Sequence, residues 1–161
     1  MFGEFGGLPV HVLVLHLAVV IVPVAALAGM SLLVPKFRAA MRWPFVVLAA
    51  LATVTIFVTK QSGQQLESTI AQQLEGNVTG ELVADHERLG NRLFIAVIVL
   101  LMLSLVAALV LPRIDHQVVG LAVAVVVAIA CIGVTILAIQ TGEAGAKAVW
   151  NPADSIDYSA H

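Results

Sequence analysis

The sequence predicts an all-α integral membrane protein: a four-transmembrane-helix bundle, N-out/C-out, with helices 2 and 3 extended outside the membrane as a helical hairpin. Three observations carry that prediction. Sixty per cent of the 161 residues are hydrophobic and only 11% are charged, where a soluble domain carries about 25%. Four apolar runs, Leu8–Val34, Trp43–Thr59, Leu93–Leu111 and Val118–Ile139, approach or exceed the roughly 20 residues that cross about 30 Å of hydrocarbon. One sizeable polar stretch, residues 60–92, separates the second run from the third. Four spans leave room for a single membrane domain, residues 1–161, and for no separate soluble catalytic unit.

The first run follows a leader, MFGEFGG, that has no basic residue and carries Glu4. The run is about twice a normal signal-peptide core, so it reads as a retained helix. Pro9 sits near its start, where a missing N–H costs nothing. Pro23 lies mid-span and frees the carbonyl of Val19, which predicts a kink. Pro35, Pro44 and Pro112 read as helix ends. Lys36, Arg38 and Arg42 crowd the short first loop and Arg113 the third connection, whereas Lys60, Arg88, Arg92 and Lys147 are spread over longer segments. Short-loop density of basic residues marks the cytoplasmic side, so both termini face outward.

Within the polar stretch, Leu66, Ile70 and Leu74 recur every fourth residue, an amphipathic helix pattern. Gly76-Asn77 breaks it, and Thr79 can cap the helix that leads into span three. Asn77-Val78-Thr79 matches a glycosylation acceptor, a short and common pattern. Residues 151–161 read as a frayed polar tail. Cys131 falls within span four and reads as a small buried hydrophobe. The chain shows no low-complexity segment and no convincing internal repeat. A formal net charge of −2, with no basic stripe, gives no footprint for nucleic acid.

His11 and His16 interrupt the first span. A titratable ring at such a position is costly unless it faces protein, cofactor or water, and so marks a functional site. Five residues apart, the two rings point about 140° from each other, so one is a ligand and the other a hydrogen-bonding or packing residue. Counting about 1.5 Å per residue from the cytoplasmic helix ends places His11 roughly 34 Å up and His16 roughly 27 Å up. By the same count His86 lies at roughly 37 Å, Glu67 at roughly 36 Å and Glu143 near the top of helix 4, while Lys60 and Arg92 fall at roughly 26 and 28 Å. His11, His86, Glu67 and Glu143 thus share one level near the outer surface, one from each helix.

These residues resemble a bacterial membrane family known as domain of unknown function 2231. Its members begin with Leu-Pro-x-His and a second histidine, carry a histidine and a glycine before helix 3, and end with a Gly-rich motif after helix 4. The counterparts are Leu8-Pro9-Val10-His11 with His16, His86-Glu87-Arg88-Leu89-Gly90, and Thr141-Gly142-Glu143-Ala144-Gly145. The second histidine, followed by Phe-Pro in the family, is followed here by Leu17-Ala18, with the proline displaced to Pro23. The resemblance implies a multi-pass protein of the bacterial inner (cytoplasmic) membrane. It implies a fold and no established activity.

Three chemistries fit the residues. A b-type haem needs two axial histidines and basic groups for its propionates; His11 or His16 with His86 supplies the first, and Arg88, Arg92 and Lys60 the second. Such a protein transfers electrons, with other membrane or redox subunits as partners. A transition-metal site would draw on His11, His86 and a carboxylate, Glu67 or Glu143. A chain without any prosthetic group, an accessory or scaffold subunit in the lipid bilayer, uses the same polar residues as glue between helices. On that reading His86, beside Asp85, Glu87 and Arg88, is a solvated helix face. His116 and His161 read as surface residues. Inverted repeats and broken midplane helices, the marks of a transporter, are not evident, and no serine or cysteine has a partnering base.

Overall fold

The computed structural model describes residues 4–74, 78–113 and 116–153. Strand β1 (Glu4–Phe5) pairs antiparallel with β2 (Leu8–Pro9). Gly6 and Gly7 join them at φ 61° and 81°, the doubly positive backbone of a tight hairpin turn, which glycine adopts without steric cost. Pro9 is then the N-cap of α1 (Val10–Met30). Three further long helices follow among the described residues: α2 (Pro35–Leu74), α3 (Val78–Val110) and α4 (Gln117–Trp150). All four are long and apolar enough to cross a membrane. Each packs on the next in sequence and α4 returns to α1, so α1 and α3 lie on one diagonal and α2 and α4 on the other.

Several boundaries differ from expectation for local reasons. Pro44 does not end a helix: α2 starts at Pro35 and runs through it. Membrane helices tolerate proline because neighbouring groups re-satisfy the carbonyl it frees. The 40 residues of α2 make it about 60 Å long, twice the hydrocarbon thickness. It crosses position 60 unbroken, as α3 crosses position 92. Thr79 lies inside α3 instead of capping it. Gly76-Asn77, the asparagine of the acceptor pattern, His161 and tail residues 154–161 lie outside the described residues. Pro23 sits inside an α1 that continues to Met30.

The core is made of small and branched side chains. Its burial repeats although the sequence shows no convincing repeat. Buried Ala18, Val22, Ala25, Gly29 and Leu32 near and along α1 correspond, at one constant offset, to buried Leu93, Val97, Leu100, Ser104 and Ala107 of α3. Phe45, Ala49 and Ala52 of α2 correspond at another constant offset to Val127, Cys131 and Val134 of α4. The α1–α2 pair and the α3–α4 pair are therefore related by an approximate twofold along the bundle, with the α2–α3 seam packed more closely than the α4–α1 seam. The expectation of no repeat is corrected: the unit is two helices long, and its register is kept in burial where residue identity has been lost.

The outward faces carry large aliphatic side chains, such as Leu27 at 66% and Ile129 at 65% exposure. That is the pattern of helices whose solvent is lipid. Two shallow apolar grooves open on this surface, at Pro23, Leu27 and Ile136 and at Leu103, Val106 and Val126. Neither includes a histidine.

Candidate functional site

His11 occupies the second position of α1, just past the Gly-Gly hairpin, and His86 the ninth of α3. Their helices stand on a diagonal, and the rings meet across it with centroids 6.1 Å apart and planes at 86°. His86 is half-buried and faces the bundle interior, not solvent, which corrects its reading as a solvated helix face. Height along the helices did match these two residues.

The two rings are held in the same way. His11 Nδ1 lies 2.8 Å from the carbonyl oxygen of Thr59 on α2. His86 Nδ1 lies 2.8 Å from the carbonyl oxygen of Thr141 on α4. A carbonyl can only accept, so Nδ1 carries a proton in each ring; when the imidazole is neutral, Nε2 then keeps its lone pair. Each threonine hydroxyl is satisfied within its own helix, Thr59 by the Thr55 carbonyl at 2.8 Å and Thr141 by that of Leu137 at 2.7 Å. Four residues beyond each threonine stands a glycine, Gly63 or Gly145. Helical side chains tilt toward the N-terminus, so the residue at i+4 normally shields the carbonyl of residue i. A Cβ at Gly63 would sit 3.0 Å from both Cε1 and Nδ1 of His11. A Cβ at Gly145 would sit 2.9 Å from Cε1 and 3.0 Å from Nδ1 of His86. Thr-x-x-x-Gly thus uncovers a backbone carbonyl and leaves room for an imidazole on it. The motif is written twice in the sequence and was legible there only as part of the Gly-rich segment after span four.

The remaining expected site residues make other contacts than with this pair, or are exposed. His16 is exposed and its Nδ1 lies 2.7 Å from the Val12 carbonyl of its own helix. Arg88 is exposed and paired with Asp85 at 3.1 Å. Arg88 and Arg92 follow His86 by two and six residues, which turns both away from its helix face; Arg92 is exposed. Lys60 is half-buried and its ammonium lies over the Phe94 ring at 5.5 Å. Glu143 is exposed and Glu67 half-buried. Among the described residues no three His, Cys, Asp or Glu side chains gather into a metal-holding group, so the structure does not bring Glu67 or Glu143 to the histidine pair as a ligand set. Height without azimuth is the reason: side chains at one level can point to different sides of their helices. His116 is exposed at the N-cap of α4, and Cys131 is buried with a free thiol, both as expected.

No curated protein and no solved structure matches the chain. Residues 7–153, which hold all four helices and both histidine seats, match the family described as Predicted membrane protein (DUF2231), and the chain belongs to that family.

Proposed function

We propose that the histidine end of the bundle holds a redox-active transition-metal centre between Nε2 of His11 and Nε2 of His86, with haem b as its form, and that the protein transfers electrons. The observation that carries this reading is the spacing of the rings together with their fixed tautomer. Two metal–nitrogen bonds of about 2.0 Å, with the distance from each nitrogen to its ring centre, span about 6 Å, against the 6.1 Å between centroids. A second ring nitrogen that donates to a backbone carbonyl is the usual outer-shell support of a metal-binding histidine. Among the described residues no third His, Cys, Asp or Glu joins the pair; two donors alone match the axial demand of a haem iron, whose other four positions a porphyrin would fill. Lys60, beside Thr59 and turned toward α3, is the best placed of the three basic residues for a propionate. The site would face outward from a bacterial inner membrane, on the side opposite the dense Lys36–Arg42 cluster.

A second reading follows from the same contact. Planes at 86° and 6.1 Å also satisfy an edge-to-face ring pair, which would pin the two halves together in an accessory or scaffold subunit. A reduced-minus-oxidised visible spectrum of protein made with ample haem separates the two. Low-spin Soret and alpha bands that vanish in His11→Ala and His86→Ala but persist in His16→Ala support the haem. Absence of those bands overturns it. Elemental analysis of the same sample then reads whether a bare metal ion occupies the pair or whether the pin is all there is.

A further inference from the structure

We propose that the histidine end is one site assembled from two copies of the same half-site, in which Gly63 and Gly145 are matched positioning residues that seat His11 and His86 for a ligand both rings hold at once. The inference rests on the metal-centre reading for the nature of that ligand, but its geometry stands apart from it. Each half-site has three parts, a histidine on the first helix of the unit and Thr-x-x-x-Gly on the second. The same offsets that relate the buried positions of α1 to α3 and of α2 to α4 carry His11 onto His86, Thr59 onto Thr141 and Gly63 onto Gly145. Both ring-to-carbonyl hydrogen bonds are 2.8 Å; the seats differ in that the Thr59 carbonyl also accepts from the Ser62 hydroxyl at 3.0 Å, where the second seat has Ala144.

The glycines serve the rings and not the approach of helices. All three of the nearest atoms that a Cβ at Gly63 would meet belong to the His11 ring, and all three at Gly145 belong to the His86 ring. Gly29, a packing glycine, behaves differently, meeting Cys131 and Phe45 side chains. Gly142, three residues before Gly145 on the same helix, meets nothing within 4 Å. A group that must be held from both sides by equal donors gives a physical reason for both seats to keep the same three residues.

The test uses the full chain in lipid vesicles, labelled with nitrogen-15 histidine and free of added haem, and reads the protonated nitrogen of each ring by solid-state NMR. His11 and His86, assigned with His→Gln variants, are expected as Nδ1–H tautomers with similar shifts. Gly63→Ala is expected to move the His11 signals and leave those of His86, Gly145→Ala to do the reverse, and Gly142→Ala to move neither. Should an alanine variant fail to fold, the His→Gln variants still decide the matter, because each remaining ring should keep its own Nδ1–H. Unmoved signals in both glycine variants, equal movement in Gly142→Ala, or a ring that loses its tautomer when its mate is replaced would overturn the proposal. In haem-loaded protein, Gly63→Ala and Gly145→Ala are each expected to convert low-spin bands to high-spin ones to a similar extent, and a change in one alone overturns the equivalence. NMR behaviour as expected in a protein that takes up neither haem nor metal keeps the matched seats and removes the metal centre.

Discussion

The two ends of this bundle obey the same twofold axis and treat it differently. At the histidine end the three positions that build each seat carry the same residues: His11 and His86, Thr59 and Thr141, Gly63 and Gly145. Toward the other end burial is shared more often than identity. Ala25 answers Leu100, Leu32 answers Ala107, Phe45 answers Val127 and Ala49 answers Cys131, all buried. Arg38 answers Gly120, and the arginine uses the space its mate vacates: a Cβ on Gly120 would lie 2.8 Å from its Nη1. Two arginines could not both occupy that place. Packing asks only that volumes fill the interior, so a large residue on one side can offset a small one on the other. Seating a ring on a carbonyl asks for one particular set of atoms, and that set is present twice.

The largest effect should come from breaking the identical end. If the pair holds haem as proposed, His11→Ala or His86→Ala removes an axial donor outright and is expected to lower haem occupancy on the order of 100-fold or more, beyond the 10–100-fold typical of outer-shell losses. His16→Ala, which takes away only a ring bonded to its own helix, should leave occupancy unchanged. Titration of apoprotein with haem checks both. Equal losses in all three variants would remove the distinction between the seated rings and the exposed one.

Next in size is the diverged interior. Gly29→Ala would place its methyl 2.5 Å from Cys131 Sγ and 2.8 Å from the Phe45 ring, both on fully buried side chains. Overpacking of that kind costs about 1–3 kcal/mol, read as a lower unfolding midpoint in detergent. Gly120→Ala meets the far end of a flexible arginine instead, and Arg38 is anchored through Nε to the Leu32 carbonyl at 2.9 Å. The guanidinium can swing, so the expected loss is below about 1 kcal/mol. A larger loss at Gly120 than at Gly29 would show that the arginine end, not the core, fixes the helices.

Composition and run length made the four helices legible, because lipid demands apolar side chains all round a helix and continuous backbone hydrogen bonding within it. The pairing of His11 with His86 was legible as equal height. Three features were not. Pro44 looked like a terminus because proline usually is one. Arg88 and Arg92 looked like companions of His86 until rotation about the helix axis turned them outward. The repeat was hidden because burial, which is repeated, is satisfied by Ala and Leu alike, and few pairs retain their identity: apolar ones such as Val22 with Val97, which blend into apolar filler, the three of the histidine end, and Thr53 with Thr135.

That last pair offers the finest test of how far the halves have separated. Thr53 Oγ1 donates to the Ala49 carbonyl of its own helix at 2.8 Å and also lies 3.2 Å from the Val97 carbonyl of α3. Thr135 Oγ1 donates only to the Cys131 carbonyl of its own helix, at 2.9 Å, among the contacts described. The same residue at equivalent positions therefore bridges helices in one half and not in the other. Interhelical hydrogen bonds of this type are worth about 0.6 kcal/mol in a membrane. Thr53→Val should cost roughly that much and Thr135→Val close to nothing, since an intrahelical back-bond slightly disfavours the helix that carries it. Paired unfolding measurements in one detergent resolve the difference. Equal costs would mean that the α2–α3 bridge contributes nothing and that Thr53, like its mate, only satisfies its own hydroxyl.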